Sequence, residues 1–120
     1  MPKKILVVDD DPSTVKLAEK LLQNNGYEVL TAYDGLDALV KIKRDDPDLV
    51  VLDVMMPEIN GYDVCYQLRF NKDFHKVPIV LLTIRDKELD DKIGLRVNIE
   101  YCQKPVDSDV LLKKISSLLP

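Results

Sequence analysis

The stretch DLVVLDVMMPEINGYDV, residues 48–64, decides how this chain folds. Leu49 to Leu52 form an unbroken apolar run rich in β-branched residues, without the alternation of a half-exposed strand. Such a run reads as a strand covered on both faces, the kind a parallel sheet requires. Asp53 ends it, which leaves a carboxylate at the edge of an interior. A charge in that position costs several kcal/mol unless something pairs with it, roughly the scale of buried-ion penalties. Pro57 and Gly61 then mark a loop, and GYDVCYQLRF reads as a helix.

Outward from this stretch the same alternation recurs in both directions. KILVV (Lys4 to Val8) is a strand, and DPSTVKLAEKLLQNNG is a helix with Asp11 as N-cap, Pro12 at its first position and Asn25-Gly26 as its stop. Val15, Ala18 and Leu22 recur at helical spacing, with Leu21 widening the stripe. YEVLTA is a second strand ended by Asp34-Gly35. LDALVKIKRDD is a second helix, its period set by Leu36, Leu39, Val40 and Lys43, stopping before Pro47. Beyond the third helix, PIVLL (Pro78 to Leu82) is a fourth strand and DKELDDKIGL a short, highly charged fourth helix. IEYCQ is the fifth strand, and SDVLLKKISSLL closes the chain as an amphipathic fifth helix through Val110, Leu111, Lys114, Ile115 and Leu118.

Five strands alternating with five helices predict an α/β fold, a single parallel sheet covered on both faces. Right-handed crossovers leave few topologies, and a doubly wound, flavodoxin-like sheet of order 2-1-3-4-5 is the one expected. No linker, repeat or low-complexity tract interrupts the chain, so residues 1–120 read as one domain.

The totals narrow the function. A chain of 120 residues can build a core without staples, and 46% hydrophobic with 32% charged residues is an ordinary globular profile. A net charge of −4 and a pI of about 4.9 argue against nucleic acid or an anionic membrane as a direct partner. No apolar run approaches the roughly 18 residues of a membrane span, and MPKKILVV is too short for a signal peptide, so a cytoplasmic location is expected. Cys65 and Cys102 form no C-x-x-C and read as reduced, buried thiols. His75, the single histidine, lies in the polar stretch NKDFHKVP and reads as a loop residue, not a metal ligand.

In a doubly wound sheet, ligands bind outside the carboxyl ends of the strands, near the switch point between strands 1 and 3. Strand 1 ends in Asp9, Asp10 and Asp11, strand 3 in Asp53, strand 4 in Thr83, and strand 5 in Lys104 followed by Pro105. Capping of the following helix accounts for Asp11. It does not account for Asp53, because Val54-Met55-Met56-Pro57 is no helix start. Neighbouring carboxylates oppose each other's ionisation, and a hard divalent cation such as Mg²⁺ resolves that repulsion. Lys104 by itself could be a salt-bridge partner. With Thr83 and a metal it completes a site for a dianionic phosphoryl group, and a carboxylate can itself accept that group. Asp53 is then placed to be the nucleophile.

At this point the sequence resembles a receiver domain of the two-component response regulators, the CheY-like family. The resemblance runs from Lys4 to Leu119 and rests on ILVVDDDP, PDLVVLDVMMPEINGYDV, PIVLLT and YCQKP, in that order and at family-like separations. It implies that Asp53 is the phosphoacceptor and that Asp10 binds Mg²⁺ directly, with Asp9 acting mainly through water. The backbone carbonyl of Met55 would be a third protein ligand beside Asp10 and Asp53. Thr83 would hydrogen-bond the phosphoryl group and Lys104 would pair with another of its oxygens. The bond before Pro105 would be cis, and Tyr101 would be the aromatic that turns inward as the threonine moves. Phosphorylation would bias an existing equilibrium read on the face of the fourth helix, fifth strand and fifth helix. The implied donor is a histidine kinase, a phosphotransfer protein or a small phosphodonor. The implied reader is a downstream protein or effector domain, and the same face could pair two phosphorylated copies. Such a domain is a phosphoacceptor, not a turnover enzyme.

The chain departs from the family pattern at several positions. Ile84 follows Thr83 where Ala or Gly is usual, and is expected to restrict access to Asp53. Met55 and Arg85 occupy the two positions that the family varies to tune dephosphorylation. GLRVNIEY is one residue short before strand 5, with Asn98 where Gly is usual, so the output face should be slightly reshaped. Val106 replaces a common Phe without consequence for chemistry. Three other readings compete. DDDPS can be forced onto the nucleophile motif of haloacid-dehalogenase-like phosphatases through Asp9, Asp11 and Ser13, but Thr83 stands where that class needs a later acid. A flavin module would put Ser, Thr and Gly where this chain has three acids. A degenerate receiver used only for docking is opposed by the full acid, Thr and Lys set.

Overall fold

The computed structural model describes residues 2–84 and 98–119. Five strands are present: β1 (Lys4–Val8), β2 (Glu28–Ala32), β3 (Leu49–Asp53), β4 (Ile79–Thr83) and β5 (Ile99–Gln103). Four helices are described: α1 (Pro12–Asn24), α2 (Gly35–Asp45), α3 (Gly61–Arg69) and α4 (Ser108–Leu118). The helix expected over 86–95 and Arg85 lie outside the described residues, so α4 is the fifth helix of the sequence reading.

The strands form one sheet of order β2-β1-β3-β4-β5, every neighbouring pair parallel. This is the doubly wound arrangement expected from the alternation of elements. Its register pairs Val8 with Leu52, Asp53 with Leu82 and Thr83 with Gln103, which brings the polar strand ends to one edge.

Period two of the strands divides the core into two layers. Leu6, Val8, Val50, Leu52, Ile79 and Leu81 meet α2 and α3 through Ala38, Ile42, Val64, Cys65 and Leu68. The alternate residues Ile5, Val7, Leu49, Val51, Val80 and Leu82 meet α1 and α4 through Val15, Ala18, Leu22, Leu111 and Ile115. Leu49–Leu52 and Ile79–Leu82 are buried throughout, as unbroken apolar strands must be between two helical layers.

The helix ends follow from local chemistry. Asp11 accepts from the Ser13 amide at 3.1 Å with Pro12 at the first helical position, and Asn25 caps the other end before Gly26 at φ 89°. Asp34 and Asp107 cap α2 and α4 through the amides of Asp37 and Val110. Asn98, where Gly is usual, adopts φ 57°, the left-handed conformation that Asn tolerates, and its side-chain amide donates to Lys76 O. The Lys104–Pro105 bond is cis.

The face of α2 corrects the sequence reading. Leu36 and Val40 are exposed, and Gly35, Ala38 and Ile42 point inward. The helix offers two stripes, and the one with small side chains allows a closer approach. At Gly35 a Cβ would lie 2.6 Å from the Ile59 carbonyl oxygen, a distance that only glycine permits. In α4 the inward pair is Leu111 and Ile115, while Val110 is exposed. Among the described residues no helix is long and apolar enough to cross a membrane.

Candidate functional site

Asp9, Asp53 and Thr83, at 0%, 2% and 3% exposure, are the buried polar or charged residues among those described. They stand at the carboxyl ends of β1, β3 and β4, the positions that the strand register brings to a common edge. The Lys104 ammonium, on the loop after β5, reaches Asp9 Oδ2 at 3.0 Å and Asp53 Oδ1 at 3.1 Å. One cation thus bridges the two buried carboxylates. The Lys104 amide also donates to Thr83 O at 2.8 Å, which ties the lysine's backbone to the end of β4.

Backbone donors complete the cradle. The Asp11 amide donates to Asp9 Oδ1 at 3.0 Å, and the Met55 amide to Asp53 Oδ1 at 3.3 Å. Asp10 is exposed, with a carboxylate oxygen within 4.8 Å of those of Asp9 and Asp53. Among the described residues, three formal negative charges therefore face one positive charge, and this all-oxygen set suits a hard cation such as Mg²⁺.

Burial pushes the Asp53 carboxyl up to about 6, with Lys104 opposing the rise and Asp9 adding to it. Burial pulls the Lys104 ammonium down, but its bonds to Asp9 and Asp53 more than offset this and hold it above its ordinary value. A carboxylate disfavoured by desolvation and steadied by one cation is a strained charge, the kind that concentrates at functional sites.

The remaining site residues of the sequence reading fall around this centre. Met55, two residues after Asp53, and Ile84, next to Thr83, are exposed at 68% and 63%. Ile84 directly follows the buried Thr83 in the chain. Tyr101 is half-buried on β5, its ring against the α2–α3 layer and its hydroxyl buried. Cys65 and Cys102 are free, buried thiols in opposite layers of the core. Burial pushes Cys65 up to about 12 and Cys102 also upward, so both are inert as nucleophiles. His75 is exposed, its Nδ1 2.9 Å from Lys72 O. The sequence reading missed the double reach of Lys104 and the two backbone donors. Side-chain spacing carries no signal of either.

The fold and site together define a class: a doubly wound α/β domain with a lysine-bridged carboxylate cluster at its switch point. The response regulator receiver domain model matches residues 5–116, and the chain belongs to that family. It is a signalling domain of two-component systems. The alkaline phosphatase synthesis transcriptional regulatory protein PhoP of Bacillus subtilis is 43% identical over 120 residues, covering 99% of this chain and 49% of PhoP. The probable transcriptional regulator ycf27 of Cyanophora paradoxa is 45% identical over 118 residues, covering 98% of this chain and 48% of ycf27. The chain thus spans about half the length of these relatives. Among solved structures, the chemotaxis protein CheY4 of Vibrio cholerae superposes with a TM-score of 0.88 at 30% identity, over 98% of this chain and 99% of that one.

Proposed function

We propose that residues 1–120 act as one phosphoacceptor domain, in which Asp53 takes a phosphoryl group from a histidine kinase, a phosphotransfer protein or a small phosphodonor. The observation that carries this reading is the Lys104 ammonium, 3.1 Å from Asp53 and 3.0 Å from Asp9 beside a third carboxylate. Asp9, Asp10, Asp53 and the Met55 carbonyl would hold Mg²⁺, which when bound supplies charge neutralisation to the transferring oxygens. The chain's own part is positioning. One Asp53 carboxylate oxygen attacks phosphorus in line, and the bond from phosphorus to the donor atom breaks with its electron pair leaving on the donor. Lys104 then exchanges its carboxylate partner for a phosphoryl oxygen, and the Thr83 hydroxyl donates to another. Later attack by water on phosphorus breaks the bond to the Asp53 oxygen, releases inorganic phosphate and returns the carboxylate, so the domain resets itself.

The switch reading is that Thr83, drawn toward the phosphoryl group, leaves room for Tyr101 to hold its inward position. The half-buried Tyr101 ring supports this. Inverting a 1:99 population needs about 5.5 kcal/mol of differential binding. New charge-assisted bonds from Lys104 and Thr83 are of a kind that can contribute to it. The output surface would be the segment before β5, β5 itself and α4, read by a downstream protein or an effector domain, or by a second phosphorylated copy. The relatives named as transcriptional regulators are about twice as long as this chain. Nucleic-acid contact is therefore assigned outside this domain, whose balance is acidic. A cytoplasmic location belongs to the same reading.

Intact-mass spectrometry after incubation with acetyl phosphate tests it. One phosphoryl group should be added to the parent with Mg²⁺, and none without Mg²⁺ or in Asp53→Asn. Addition to Asp53→Asn at the parent's level would overturn the assignment of Asp53.

A further inference from the structure

The backbone of α3 meets the backbone of β3 at Gly61. A Cβ built there would fall 2.9 Å from Val54 Cα and 3.0 Å from the Asp53 carbonyl carbon, and closer still to the Asp53 carbonyl oxygen. All three atoms are main chain, so no side chain can turn aside to make room. The Gly61 amide donates to Val54 O at 3.0 Å, while the Val54 amide donates to Leu82 O at 3.0 Å. Residues 54 and 61 are thereby pinned together and to β4. The seven residues Val54–Asn60 form a loop closed at its neck, immediately after Asp53 in the chain.

The neck is held from the α3 side as well. Asn60 and Asp63 form a reciprocal cap, the Asp63 amide donating to Asn60 Oδ1 at 3.0 Å and the Asn60 amide to Asp63 Oδ2 at 3.1 Å. Glu58 turns the loop at φ 64°. The loop carries Met55, whose amide donates to Asp53 Oδ1. A shift of the Asp53–Val54 peptide would move the Asp53 side chain and the Met55 carbonyl together.

We propose that Gly61 is a positioning residue for the carboxylate site: the missing Cβ lets α3 lock the neck of the Val54–Asn60 loop and so fixes Asp53 and Met55 relative to one another. The inference rests on the reading of those two residues as metal ligands. Outer groups that orient ligands are typically worth roughly 10-fold to 100-fold in metal affinity.

The test compares Gly61→Ala with Ile115→Ala, a core change on α4 in the opposite layer of the sheet. Two readouts are taken. In metal-free protein, hydrogen exchange of the Met55 amide should accelerate in Gly61→Ala relative to core amides, and not in Ile115→Ala. In a Mg²⁺ titration followed by backbone amide shifts, Gly61→Ala should bind roughly 10-fold or more weakly, while Ile115→Ala binds like the parent. Adding Val54→Ala to Gly61→Ala should restore neither, because the obstruction is main chain. If Gly61→Ala does not fold, Asn60→Ala, which only loosens the cap, should show the same exchange change in smaller measure. Unchanged Met55 exchange in the folded variant, rescue by Val54→Ala, or equal losses in Gly61→Ala and Ile115→Ala would overturn the proposal. A parent that binds no Mg²⁺ would sink the metal reading instead, and the metal-free exchange would still decide the role of Gly61.

Discussion

Replacing Asp53 with asparagine should stabilise the metal-free protein at pH 8, and the gain should vanish as the pH falls. The folded protein holds the Asp53 proton more tightly than the unfolded chain does, with a value raised from 3.8 to about 6. Below about pH 4 the group is protonated in both states and costs nothing. As pH rises from about 4 to about 6 the unfolded chain ionises first, so folding stability falls; above 6 the full cost is present. A separation of about two units corresponds to roughly 3 kcal/mol at 1.36 kcal/mol per unit. Asparagine keeps the shape and removes the charge, but it gives up the charge-assisted bond to Lys104, which is left with Asp9 alone. The expected net gain is therefore about 1–2 kcal/mol at pH 8, or roughly 3–10 °C in Tm for a domain of this size. Thermal and urea unfolding of both proteins in chelator at pH 8, 6 and 4 would measure it. A variant no more stable than the parent at pH 8, or a gain that persists at pH 4, would refute the claim that Asp53 is a strained charge.

Other perturbations follow from the same geometry. Lys104→Met leaves Asp9 and Asp53 without their shared cation; because Lys104 is partly exposed, the loss should be about 1–3 kcal/mol at pH 8 in chelator, less than for a fully buried pair. Urea titration at pH 8 and pH 5 checks this, since protonation of Asp53 should shrink the loss at the lower pH. On the expectation that Ile84, beside Thr83, restricts access to Asp53, Ile84→Ala should shorten the acyl-phosphate lifetime by about threefold, less than 1 kcal/mol in barrier. Equal lifetimes in a timed mass assay would remove Ile84 as a gate. On α2, Ile42→Ala should cost about 2–5 kcal/mol, whereas Val40→Ser should stay within roughly 0.5 kcal/mol in chemical denaturation.

How much of this was legible in the sequence varies by element. The strands were readable because Leu49–Leu52 and Ile79–Leu82 must be apolar on both faces, which leaves no competing period. The starts of α1 and α3 were readable because Asp11-Pro12 and the loop before Gly61 act locally. The inward face of α2 was not, because Leu36 and Val40 look like a core stripe until close approach of the helix selects Gly35, Ala38 and Ile42 instead. At the site, Asp9, Asp10, Asp53, Thr83 and Lys104 could be named because strand ends in this topology converge. That Lys104 bridges two carboxylates, and that Gly61 touches the Asp53 peptide, depends on distances between segments that no local pattern encodes.

The central claim is that the carboxylate at position 53 becomes an acyl phosphate. Borohydride reduction of acetyl phosphate-treated protein, followed by peptide mass mapping, tests it most directly, because an acyl phosphate on aspartate is reduced to homoserine. Homoserine at position 53, formed only when Mg²⁺ was present during phosphorylation, is the result expected. Homoserine at position 9 or 10 instead, or none at any aspartate in protein that carries a phosphoryl group, would contradict the account.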